Sequence, residues 1–129
     1  MTVRTIPPAS EPYVEHRVDT PPARASLPAC PVETCVQLIG SKWRLLIMRD
    51  LLMNGTMRFK ELQRSVGSVS QKVLTANLRE MEAAGLVVRR VYPEVPPRVE
   101  YSLTETGQSL KPVIDAMWVW GEAYQAAAK

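Results

Sequence analysis

The chain has 129 residues, 46% of them hydrophobic and 22% charged, with 16 Lys and Arg against 13 Asp and Glu for a formal net charge of +3. That length accommodates one modest core with ordinary globular composition, and a surplus this small does not establish a nucleic-acid partner. No stretch reaches the roughly 18 to 20 apolar residues of a membrane span, and no signal-peptide core is present, so a cytoplasmic protein without membrane contact is expected.

Residues 1–29 differ in kind from the rest. Pro7, Pro8, Pro12, Pro21, Pro22 and Pro28 stand among Ala, Ser and Thr with few large apolar side chains. Such a segment has little to bury, and a mostly disordered tail is expected there, leaving 30–129 as the folded domain.

Order should begin near Cys30. Pro31 suits a first helical turn, and Glu33 suits the positive end of the helix dipole. Val36, Ile39, Trp43, Leu46, Ile47 and Leu51 form a long apolar stripe, interrupted at Gly40-Ser41, where a break between two helices is expected. Asn54-Gly55 closes this segment. Arg58 to Val66 then reads as a short helix with Phe59, Leu62 and Val66 inward, and Gly67-Ser68-Val69 turns the chain into the next helix. Two short helices joined by a tight glycine-containing turn make a helix-turn-helix.

The second helix of that pair starts at Ser70, whose hydroxyl can accept from an otherwise unpaired amide near Val73. Leu74, Leu78 and Met81 share its buried face, and Gly85 ends it. At 100° per residue, Lys72, Ala76 and Arg79 fall opposite that stripe, with Gln71 and Thr75 beside them. Gln matches adenine edges, Arg and Lys match guanine, and Thr matches polar edges or a thymine methyl. A plain solvated face is the alternative.

Leu86 to Tyr92 and Val99 to Leu103 are β-branched and aromatic runs joined by the proline-rich connector Pro93 to Arg98, which reads as a two-stranded wing with a stiff protruding loop. Arg89, Arg90 and Arg98 lie on or beside it and are candidates for phosphate contact, with protection of an exposed strand edge as the competing explanation. From Lys42 through Arg98 there are 11 Lys and Arg against 5 Asp and Glu, a local surplus of 6 around the proposed reading head. Arg58 and Lys60, at the head of the first helix of the pair, join the DNA-contact set.

Thr104 to Gly107 leads into a last helix in which Leu110, Val113, Ile114, Met117, Trp120 and Tyr124 share a face, with Gly121 allowing close approach. Trp118 spreads aromatic area around a second side. The stripe either packs on its own domain or, as enrichment of aromatics and Met at interfaces favours, joins two chains. Val36 of the first helix and Val113, Met117, Trp118, Trp120 and Tyr124 are the expected homodimer interface. A two-fold dimer would set its reading helices about 34 Å apart on a pseudo-palindromic double-stranded DNA operator.

Several segments closely resemble the HxlR-type winged helix-turn-helix regulators: Cys30 to Glu33 (CPVE), Leu38 to Trp43 (LIGSKW), Arg58 to Leu62 (RFKEL), Ser70 to Thr75 (SQKVLT), Leu78 to Glu82 (LREME) and Val95 to Thr104 (VPPRVEYSLT). The resemblance runs from about Cys30 to Tyr124. It implies an α+β winged helix-turn-helix with added N- and C-terminal dimerisation helices, in a bacterial homodimeric transcription factor that is often a repressor. It further implies a response to electrophiles, oxidants or aldehydes through a cysteine at the head of the first helix, which Cys30 matches. The tail is longer than the family's usual lead-in, and Cys35 stands where many relatives have another residue.

Physically, Cys30 precedes a proline at a helix N-terminus, where dipole and free amides favour the reactive thiolate. Cys35, a turn and a half later, is expected on a buried or interfacial face. Both are redox-sensor candidates, with two reduced structural thiols as the alternative. Two cysteines and the single His16 do not make a zinc site, so no metal or cofactor is implied. A noncovalent inducer near the C-terminal helices is the other effector reading.

Catalysis has little support. The only histidine lies in the tail, and the glycines at 40, 55, 67 and 85 do not compose a phosphate cradle. A winged helix serving only as a protein-interaction module would instead need an apolar recognition face and binding that salt hardly weakens.

Overall fold

The computed structural model describes residues 14–16 and 27–128. Helix α1 (Pro31–Ile39) starts with proline in its first turn and stops at Gly40, and α2 (Lys42–Asn54) follows after the two residues Gly40 and Ser41, with Ser41 Oγ accepting the Arg44 amide at 3.3 Å. The break expected at Gly40-Ser41 is therefore present. A two-residue strand β2 (Met57–Arg58), short enough to leave no period in the sequence, precedes α3 (Phe59–Val66). Helix α4 (Gln71–Ala83) completes the helix-turn-helix. Strands β3 (Val87–Tyr92) and β4 (Arg98–Leu103) form the wing, and α5 (Glu105–Gln108) and α6 (Lys111–Ala127) end the chain.

Ile47, Met48 and Leu51 of α2, Leu62 and Val66 of α3, and Leu74, Leu78 and Met81 of α4 meet Val87, Tyr101 and Leu103 of the sheet in one core. Full burial of each large aliphatic side chain stabilises by about 1.5–3 kcal/mol, so these three helices and the wing form one cooperative unit. The protein is an α+β winged helix-turn-helix with additional helices at both ends.

The sheet is larger than the expected two strands. β2 pairs antiparallel with β4 (Met57 opposite Tyr101), and a strand β1 (Val14–His16) pairs antiparallel with the outer edge of β3 (Glu15 opposite Arg90), giving the order β1-β3-β4-β2. Three residues amid prolines are too few to show alternation, and their partner is an edge that exists only once the wing has folded. This corrects the expected tail at 14–16; its residues 1–13 and 17–26 lie outside the described residues.

The lead-in expected at Thr104 to Gly107 is itself a short helix, α5, ahead of α6. Thr104 Oγ1 accepts the Gly107 amide at 3.1 Å and donates to the Gly85 carbonyl at 2.5 Å, fixing the short α5 against the exit of α4. A Cβ on Gly107 would stand 2.2 Å from the Leu86 carbonyl oxygen, so only glycine fits that approach. The chain then restarts at α6, where Pro112 occupies the first turn. Gly121 meets nothing within 4 Å of a Cβ position, so the close approach expected there is not made within one chain.

Candidate DNA interface

Helix α4 is anchored and presented as its sequence implies. Ser70 Oγ accepts the Val73 amide at 3.1 Å, and Leu74, Leu78 and Met81 are buried. Gly85 adopts the left-handed conformation (φ 78°) that lets the chain leave the helix for β3. Opposite the buried stripe, Gln71, Lys72, Ala76 and Arg79 are exposed and Thr75 is half-buried. Five of the expected contact positions, Ser70 included, thus occupy one surface of one helix.

The turn before α4 is held rigidly: Gln63 Nε2 donates to the Val69 carbonyl at 3.1 Å, and the Val69 amide donates to that of Gly67 at 2.8 Å. Arg58 and Lys60 are exposed at the head of α3, where Glu61 Oε1 accepts the Arg58 amide at 2.7 Å. Arg64, one turn beyond Lys60, is exposed beside it and was not among the expected contacts; its i,i+4 spacing from Lys60 was the available signal. Arg58, Lys60 and Arg64 line an open cleft of about 820 Å³ whose far wall is the wing loop at Val95 and Pro96.

The three wing arginines do not act together. Arg89 is partly exposed and lies 3.9 Å from Glu82 of α4. Arg90 is only 6% exposed, which removes it from the surface set expected to meet phosphate. Consecutive residues of a strand point to opposite faces, so one of this pair had to turn away from α4. Arg98 belongs to β4 rather than to the connector. Its guanidinium sits over the Tyr92 ring at 4.0 Å and lies 3.4 Å from both Glu94 and Glu100, an arrangement that holds the wing together. At the wing tip Val95 is fully exposed.

Beneath this surface, burial pushes the Tyr101 hydroxyl above its usual value of 10.0, partly opposed by the Arg89 guanidinium. Tyr101 packs on Phe59 with ring centroids 6.5 Å apart, joining β4 to α3.

Away from α4, Cys30 stands at the N-cap of α1 with no side-chain capping hydrogen bond. Cys30 and Cys35 are both free and exposed, so of the buried or interfacial face expected for Cys35 the buried one is not formed within one chain. Val36 is exposed on the same helix. Leu110, just before α6, and Ile114 within it pack against the core, whereas Val113, Met117, Trp118, Trp120 and Tyr124 remain exposed, Trp120 at 67%. Trp120 and Tyr124 stack at 5.0 Å between ring centroids. The shared face expected in the sequence therefore divides into an inner part and an uncovered stripe. An open apolar groove of about 660 Å³ runs along Pro112, Val113, Ala116, Met117 and Trp120.

Among the described residues no group of three or more His, Cys, Asp or Glu is placed to hold a metal ion, and no helix is long and apolar enough to cross a membrane.

Residues 38–129 match the model of the HxlR-like helix-turn-helix family. The chain belongs to this family. It is 50% identical over 95 residues to an uncharacterised HTH-type transcriptional regulator of Methanothermobacter thermautotrophicus, covering 74% of this chain and 72% of that one. Among solved structures it is similar to the redox regulator HypR in its oxidised form, at 47% identity and a TM-score of 0.68 over 73% of this chain and 96% of that one. It is also similar to diamide-treated YodB from Bacillus subtilis, at 40% identity and a TM-score of 0.60 over 74% and 94% of the two chains. This member of the HxlR-like family is a helix-turn-helix transcriptional regulator and not an enzyme.

Proposed function

We propose that this HxlR-like protein is a homodimeric repressor that binds a pseudo-palindromic double-stranded DNA operator and is released by modification of Cys30. The exposed polar surface of α4 carries this reading. Gln71, Lys72, Thr75 and Arg79 read base edges in the major groove while Ser70 fixes the helix end. Arg58, Lys60 and Arg64 meet the phosphates alongside. An apolar face, as an interaction module would need, is not what α4 presents.

Dimerisation joins α6 and α1 of two chains through Val36, Val113, Met117, Trp118, Trp120 and Tyr124. Aromatic and Met side chains exposed along one helix are the composition of an interface core. Support for the thiol switch comes from the exposed Cys30 at a helix N-terminus and from the likeness to HypR and YodB, whose structures are described by oxidation state or oxidant treatment. Cys35 is the second sensor candidate, exposed on the same helix. A noncovalent inducer in the α6 groove is the competing effector reading, favoured by that groove's apolar lining.

Gel-shift titration of the full chain on a duplex from its own upstream region, with and without diamide, tests the reading. Diamide should release the wild type and not Cys30→Ser. Equal release of both would sink the thiol switch, and salt-insensitive binding would sink phosphate contact.

A further inference from the structure

Arg44, in the first turn of α2, joins the helix that carries the thiols to the helix that faces outward for DNA. Its Nη1 donates to the carbonyls of Gln37 at 3.1 Å and Leu38 at 3.2 Å, both in the last turn of α1. Those carbonyls have no later amide in α1 to receive, and α1 has no basic residue in its own last turn. The guanidinium supplies from the next helix the positive charge that a helix C-terminus favours. On its other side Arg44 Nε donates to Asn77 Oδ1 at 3.4 Å and Nη2 pairs with Glu80, both residues of α4. Asn77 is itself oriented, since its Nδ2 donates to the Val73 carbonyl at 2.9 Å and leaves Oδ1 toward Arg44.

We infer that Arg44 is a positioning residue that sets the orientation of α4 relative to α1 without touching DNA itself. Helix α4 is anchored by one apolar face, Leu74, Leu78 and Met81, and α1 buries only Ile39 completely. A helix held along one stripe retains freedom to rock about its axis, and the Arg44 fork restrains its flank. Asn77 and Glu80 adjoin Ala76 and Arg79 on the outward surface, so any rocking that Arg44 permits displaces the reading side chains directly. Lysine cannot replace it: a single ammonium on a flexible stem lacks the planar fork that serves two carbonyls and two α4 side chains at once. The inference deepens the DNA-binding reading and rests on α4 being the reading helix.

The test measures geometry without DNA. Full-length chain carrying Cys30→Ser and Ala83→Cys is spin-labelled at Cys35 in α1 and at position 83 in α4, and diluted with excess unlabelled chain so that only intrachain distances are recorded. A single narrow distance is expected with Arg44 present, and a roughly twofold wider distribution in Arg44→Lys and Arg44→Met. Asn77→Ala and Glu80→Gln, surface changes on α4, should each broaden it by less, and they keep the proposal falsifiable if Arg44→Met does not fold. If the Arg44 variants, or those α4 variants in their place, lower the melting temperature but keep the narrow distance, Arg44 is only a helix cap and the inference is overturned. Failure of the unsubstituted protein to bind its upstream duplex would sink the DNA reading alone, because the distance measurement contains no DNA.

Discussion

Arg89 and Arg90 are consecutive in β3 and lie on opposite faces of the sheet: Arg89 stands 3.9 Å from Glu82 of α4, whereas Arg90, paired in register with Glu100, is 6% exposed. Arg90→Ala should therefore destabilise the fold by about 1–3 kcal/mol, as loss of a buried polar group does, and leave the salt dependence of DNA binding unchanged. Arg89→Ala should cost less than about 1 kcal/mol of stability, because its pair is partly exposed. Urea melts of both variants, run beside salt titrations, check this; a reduced salt slope in Arg90→Ala would restore it to the phosphate-contact set.

On the proposed DNA-binding reading, base reading and phosphate contact should separate by helix. Lys72→Ala or Arg79→Ala should lose about 1–3 kcal/mol of discrimination between operator and mismatched duplex. Arg58→Ala, Lys60→Ala or Arg64→Ala should weaken all duplexes alike and lower the log-log salt slope by about 0.9 for each phosphate no longer neutralised. Arg98→Ala should behave differently from both, since its guanidinium is engaged by Tyr92, Glu94 and Glu100. Competition gel shifts at two salt concentrations distinguish the three classes, and identical behaviour of the α3 and α4 variants would contradict the division.

Tyr101 gives a pH signature. Its folded hydroxyl is raised above 10.0, first by burial, against which Arg89 acts. A raised folded value means that the protonated tyrosine contributes stability fully present below the unfolded value and lost as pH rises through the folded one. The gap in melting temperature between Tyr101→Phe and the wild type should stay constant from about pH 7 to about pH 9.5 and then shift in favour of the variant above pH 10. Thermal melts across that range measure it; a constant gap to pH 11 would show that Tyr101 ionises as freely in the folded protein as in the unfolded chain.

The uncovered α6 stripe predicts the oligomeric state. Trp120→Glu places a charge where Trp120 stacks on Tyr124, and it should convert the proposed dimer to monomer in sedimentation velocity. Operator affinity should fall at least about tenfold when two half-sites can no longer be held by one linked pair of reading heads. Val119→Glu, on another exposed side of α6, is the control. A Trp120→Glu protein that remains dimeric would place the interface elsewhere.

Much of this molecule was decided locally and was therefore legible in the amino-acid order. Ser70 caps α4, Gly85 ends it, Gly40-Ser41 separates two helices, and the 3.6-residue spacing of Leu74, Leu78 and Met81 selects the outward surface of Gln71, Lys72 and Arg79. Each of these depends on residues within a few positions of one another. The outward surface of α4 followed because a helix with one apolar stripe has only one side left to present.

What tertiary structure decided depends on partners distant in the chain. β1 exists only against the edge of β3, and Arg90 is buried on the face of β3 that alternation turns away from α4, in register with Glu15 on one side and Glu100 on the other. Arg98 became a wing strut once Tyr92, Glu94 and Glu100 surrounded it. The tie from Arg44 to Asn77 spans 33 positions of sequence, a separation over which no local periodicity carries information. Helical and strand patterns state which side chains turn inward; which charges turn toward one another is settled only when the elements pack.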